Sequence, residues 1–134
     1  MTIDISKPLM NRLGWPVRVF PTAVYAGVDP PRMAVAVYQP TNREQVGDRA
    51  LDGHVWGPDE DSPYDFINEV NETVTPDMLV NGQHFLVKHD GCRYIALFYD
   101  GRFIVQYIKI EDRFYIDGTP EELAAKCIRR VEVP

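Results

Sequence analysis

His84, His89 and Cys92 lie close together in the chain and have the side-chain types of a metal centre or a thiol active site. Their spacing, His-x4-His-x2-Cys, brings no fourth ligand with it, and residues five apart on a strand point to opposite faces. The set therefore does not read as tetrahedral zinc, and neither a metal nor a cofactor is expected. The enzymatic reading is a small enzyme in which His84 or His89 activates Cys92 near the 89–92 turn, since imidazoles titrate near neutrality and a thiolate is the reactive form. His54 is a third candidate general base. Nucleophiles are otherwise scarce. Ser6 and Ser62 are the two serines of the chain, and Ser62 has the setting of a helix cap. The glycines are dispersed as turn residues and build no phosphate-cradling loop.

A second group of residues suits binding better than catalysis. Trp15, Tyr25, Tyr38, Trp56, Tyr64, Tyr94, Tyr99, Tyr107 and Tyr115 are more amphipathic rings than a small core can supply with hydrogen-bond partners. Some must reach the surface, where such rings anchor interfaces. The segment from Trp56 to Tyr64 joins two aromatic residues to Asp59, Glu60 and Asp61, and its prolines lower the ordering cost of binding. Trp56, Asp59, Glu60, Asp61 and Tyr64 are the expected partner-binding residues. The leading functional expectation is a non-catalytic, small acidic protein that acts on another protein. Inhibitors, adaptors and immunity-type proteins, including those carried by phage or mobile elements, have this character. A homodimer is compatible with each of the functional readings.

Whole-chain properties narrow the classes. The formal net charge of −6 argues against a general nucleic-acid binder, which needs a basic face. Two cysteines with no secretion signal suit a reducing compartment, and no apolar run is long enough to span a bilayer. A soluble cytoplasmic protein with no membrane partner is expected. At 134 residues the chain is expected to form a single compact domain.

The elements that would position these residues follow from local patterns. Residues 1–60 read as proline-interrupted strands and loops: 15–20, continuing past Pro21 to 26, and 33–38. Pro16 and Pro21 assign the first of these to an edge or a bulge. Thr41 and Glu44 have capping-box spacing, which predicts a helical turn with Val46, Ala50 and Leu51 on one side. Ser62-Pro63, Thr75-Pro76 and Thr119-Pro120 each offer a hydroxyl N-cap with proline in the first turn. They predict short helices within 62–81 (one near 63–72, a second ended by Asn81-Gly82) and a C-terminal helix over 119–131. Leu123, Ala124, Cys127, Ile128 and Val131 recur at helical spacing in that last segment.

Residues 83–117 predict a β-meander. Asp100-Gly101 is a strong type I′ hairpin signal that sets Phe98 opposite Phe103, Ala96 opposite Val105 and Tyr94 opposite Tyr107. His89-Asp90-Gly91 reads as a three-residue hairpin loop. The expected fold is α+β: an antiparallel meander of four or more strands with the C-terminal helix packed on one face and one or two short helices before it. The other face of the hairpin, with Ile95, Leu97, Ile104 and Ile108, also needs cover.

The order of elements from 84 to 128 resembles the second half of an SH2 domain. Phe85-Leu86-Val87-Lys88 is similar to that family's Phe-Leu-Val-Arg strand, followed by a central hairpin, a further strand at 114–116 and a helix over 121–128. The resemblance implies a phosphopeptide- or anion-binding module in which Lys88 stands at the phosphotyrosine-binding arginine. Arg93 and Lys109 would assist it. Lysine there is a point charge, lacking the bidentate fork of arginine.

Overall fold

The computed structural model describes residues 3–25, 32–50, 52–55, 61–106 and 113–134. The protein is largely β. It contains two five-stranded antiparallel sheets and, among the described residues, a single α-helix, which corrects the α+β expectation. Its contacts sort into two compact units, Met1–Tyr38 with Glu44–Glu69, and Gln39–Arg43 with Val70–Pro134.

The first unit holds β1 (Leu9–Asn11), β2 (Pro16–Tyr25), β3 (Arg32–Tyr38), β4 (Glu44–Ala50) and β5 (Phe66–Asn68), in the order β4-β3-β2-β1-β5. β2 runs through Pro21, as expected, but lies inside the sheet and not at its edge. Its pairing with β3 shifts between Val19 and Val24, so the proline is taken up in an irregularity of the ladder. The segment predicted as helical after Thr41 is instead β4, paired residue by residue with β3 from Arg32↔Ala50 to Tyr38↔Glu44. Asn42, at φ 59°, turns the chain where a helix would have begun. β4 is an exposed, charged edge, and Arg18–Glu44 (2.7 Å) and Arg32–Asp48 (2.8 Å) tie its acids to β2 and β3. Leu9, Met33, Val35 and Phe66 form the core, with Ile3, Val17, Val19 and Val37 packed against it.

The helix predicted near 63–72 is absent. Ser62–Asp65 closes a turn, and β5 follows directly, pairing with β1 through Asn11↔Phe66 and Leu9↔Asn68. The short helix predicted after Thr75 shrinks to a 3-10 turn at Pro76–Met78.

The second unit holds β6 (His84–His89), β7 (Cys92–Tyr99), β8 (Arg102–Gln106), β9 (Arg113–Ile116), α1 (Pro120–Lys126) and β10 (Cys127–Val131). Its sheet order is β10-β6-β7-β8-β9, so the hairpin strand β7 is central. Asp100 (φ 52°) and Gly101 (φ 78°) both take the left-handed backbone of the type I′ turn, and the Phe98↔Phe103 and Ala96↔Val105 register follows. Tyr107, Ile108 and Lys109 lie outside the described residues. The preceding hairpin is tighter than expected: His89 pairs with Cys92, leaving a two-residue Asp90-Gly91 turn, again with both φ positive.

Thr119 caps α1 as its sequence indicates. Its Oγ1 accepts from Glu122 N (3.2 Å), and the Glu122 carboxylate accepts from Thr119 N (3.1 Å). The helix ends at Lys126, short of the predicted 131, because 127–131 becomes an edge strand on β6. α1 still packs on one sheet face, where Leu123 and Ala124 join Phe85, Val87, Phe98, Phe103, Val105 and Ile116 in the core. On the other face Leu86 and Ile95 are buried and Leu97 and Ile104 are half-buried. Where the β7–β8 ladder stops at Ala96↔Val105, the Asn42 side chain takes over. Its amide donates to Ile95 O (2.9 Å) and Gln106 O (2.8 Å) and accepts from Ile95 N (2.7 Å).

Candidate functional site

The residues best placed for chemistry lie in the first unit, around a cavity of about 210 Å³ lined by Arg12, Asp52, His54, Asp61 and Asp65 over Gly53, Phe66, Ile67 and Ile3. Two turns build it. After β4, Gly53 N bonds to Ala50 O (2.9 Å) and Asp52 Oδ1 accepts from His54 N (3.0 Å), which brings the imidazole round. Gly53 has φ +91°, and a Cβ there would sit 2.8 Å from Phe66 O, so this position needs glycine on both counts. Before β5, Asp65 N bonds to Ser62 O (3.0 Å), and Ser62 Oγ accepts from Tyr64 N (3.1 Å). The hydroxyl read as a helix cap thus closes a serine turn.

Asp65 organises the site. It is 2% exposed, and its carboxylate accepts from Val55 N (2.9 Å) and Ser62 N (2.8 Å), holding together the two ends of the 55–62 segment. The same carboxylate lies 3.2 Å from His54 Nδ1. Burial by itself would raise this carboxyl's pKa. The two N–H bonds and the neighbouring imidazole outweigh that effect and hold it below the usual carboxylate range. With Nδ1 turned to Asp65, Nε2 is the ring nitrogen of His54 with no protein partner among the described residues. The rim is less fixed. Arg12 reaches Asp61 at 3.6 Å, and both side chains are substantially exposed. Arg49 lies over the Phe66 ring at 4.8 Å, and burial pulls its pKa down.

Of the residues singled out for partner binding, Asp61 and Tyr64 are described. Both are exposed, and Tyr64 sets its ring edge-on to Trp15 at 5.9 Å. Trp56, Asp59 and Glu60 lie outside the described residues, as does Lys109 of the anion-binding set. Lys88 and Arg93 are exposed directly opposite each other on β6 and β7.

Of the two histidines expected beside Cys92, one lies next to it. His84 and His89 project to opposite faces of β6, and burial lowers the His84 pKa. His89 is the cross-strand partner of Cys92, but its ring nitrogens are committed elsewhere, Nδ1 at 3.0 Å from Lys126 Nζ and Nε2 at 3.3 Å from Asp90. Burial pushes the Cys127 thiol up to about 12, and its Sγ donates to Leu123 O, which makes it a packing residue.

The grouping of His54, Asp61 and Asp65 is not evident in the sequence. His54 stands out there as an imidazole and the two acids as surface charge, and only the paired turns bring them together. No family model, curated protein or solved structure matches this chain. Among the described residues, no helix is long and apolar enough to cross a membrane.

Proposed function

We propose that this is a non-catalytic binding protein that presents its 56–64 segment to a protein partner, in the manner of an inhibitor, adaptor or immunity-type protein. The observation that carries the reading is the way Tyr64 is held. Its ring is exposed, yet its backbone N–H is fixed by Ser62 Oγ, its ring rests on Trp15, and the adjoining Asp65 is buried and fully engaged. An exposed aromatic on a turn ordered before binding loses little freedom on docking, which favours an interface anchor. Asp61 adds exposed negative charge beside it. The test is capture from the native cell by the immobilised wild type and by a Trp56→Ala/Tyr64→Ala variant. A protein retained by the first and lost by the second, with the melting temperature of the variant within about 3 °C of wild type, supports the reading. Equal recovery by both overturns it.

A second reading, an anion reader, draws on the Lys88–Arg93 pair. The two exposed cations lie directly opposite each other on neighbouring strands, a spacing at which one phosphate can meet both. Titration with a phosphotyrosine peptide tests it, and no heat at millimolar peptide removes it.

A further inference from the structure

We propose that His54, Asp61 and Asp65 form a binding site for a divalent transition-metal ion of the zinc type. The inference stands apart from the partner-binding reading and needs no partner for its test. One ligand atom from each residue, a ring nitrogen and two carboxylate oxygens, lies within 4.8 Å of both others.

The spacing suits a shared ion as well as a hydrogen bond. His54 Nδ1 and Asp65 Oδ2 stand 3.2 Å apart. Two donors bound to one zinc at 2.0–2.2 Å are separated by about 3.0–3.5 Å, depending on coordination angle. The buried pair therefore already has the spacing of adjacent ligands. Asp61 is the outer ligand. It is exposed and need close by at most about 1.5 Å to reach the same spacing.

The chemistry of the donors selects the ion. An imidazole nitrogen with two carboxylates suits zinc and its first-row neighbours, whereas calcium and magnesium favour all-oxygen sites. Two negative charges balance a divalent cation. The position already attracts positive charge, since Arg12 leans toward Asp61 at 3.6 Å, beyond hydrogen-bond distance. Three protein ligands leave at least one coordination position for water, and the cavity provides the room for it.

The test uses tag-free, EDTA-stripped protein titrated with Zn²⁺ by calorimetry and with Co²⁺ by visible absorption. One ion per chain is expected, with the d–d intensity of a four- or five-coordinate cobalt site. Affinity should fall at least tenfold in His54→Gln and in Asp61→Asn. Neither side chain is part of a core cluster, so both variants should keep the wild-type circular dichroism. Arg12→Gln removes the competing guanidinium and should tighten binding. His89→Gln, on the other histidine cluster, should change nothing. The absence of saturable binding overturns the proposal. So does binding that His54→Gln and Asp61→Asn leave within twofold of wild type, or binding that His89→Gln abolishes.

Discussion

Asp65 offers the sharpest quantitative test, through the isosteric replacement Asp65→Asn. In the wild type both carboxylate oxygens are acceptors, Oδ1 for Val55 N and Oδ2 for Ser62 N and His54 Nδ1, in a residue only 2% exposed. An amide keeps one acceptor and must turn its NH2 toward the other group of donors. Whichever way it flips, at least one buried N–H faces a donor. A hydrogen bond to a charged acceptor is worth about 1.5–3 kcal/mol, and the stranded donor adds its desolvation. Because the two bonds share one carboxylate they will not add fully. Asp65→Asn should therefore cost about 2–3 kcal/mol, and Asp65→Ala, which strands both N–H groups, about 3–5 kcal/mol. Urea denaturation in EDTA, with m unchanged and the midpoint lowered, gives the global value. Amide exchange at Val55 and Ser62 reads the local one, and both should lose protection relative to the β3–β4 ladder. Stability within about 0.5 kcal/mol of wild type, or unchanged protection at those two amides, would falsify the assignment of Asp65 as the anchor of the site.

Two further perturbations test the second unit. Asn42→Asp keeps the acceptor for Ile95 N but turns a carboxylate toward Ile95 O and Gln106 O, so a loss of about 3 kcal/mol in urea unfolding at neutral pH is expected. A neutral result would show that the β7–β8 ladder does not depend on this side chain. Glu72 accepts from the Arg130 guanidinium at 3.0 and 3.1 Å, which lowers its folded-state pKa against the opposing effect of burial. A lowered carboxyl contributes stability above its unfolded pKa, about 4.3, and loses that contribution as the pH falls through the folded value. Glu72→Gln should therefore be less stable than wild type at pH 7, and the gap in melting temperature should close between about pH 5 and pH 3. A gap that stays constant or widens toward acid would contradict the pairing.

How far the sequence discloses this molecule depends on whether a signal is local or tertiary. Asp100-Gly101 succeeds because its two positive φ angles are a property of those residues alone, and the register of β7 and β8 follows from them. The hydroxyl–proline–acid signals divide for the same reason. At Thr119 the cap is followed by residues that propagate a helix onto the core, and α1 forms. At Ser62 and Thr75 the same chemistry only starts a turn, because a cap does not supply the apolar stripe that extends a helix. β10 is concealed by Arg129. Its buried guanidinium, bonded to Asn71 Oδ1 at 3.0 Å, and the register shift between Cys127 and Arg129 interrupt the period-two alternation, so the strand reads as a helical stripe broken by charge. β4 is hidden by the opposite effect, for an exposed charged edge has no apolar alternation to detect. The site combines these failures. Read as the first turn of a helix, Asp65 is a solvated acid favouring the dipole. In the fold, the pairing of Asn11 with Phe66 draws it beneath the 50–54 turn, with Arg12 N on its carbonyl oxygen at 3.1 Å. The Ser62–Asp65 turn is local, but its placement against His54 is made by the pairing with β1, which is remote in sequence. His54 therefore acquires its orienting carboxylate from tertiary structure alone, and the chemistry of this protein is set where its local sequence signals are weakest.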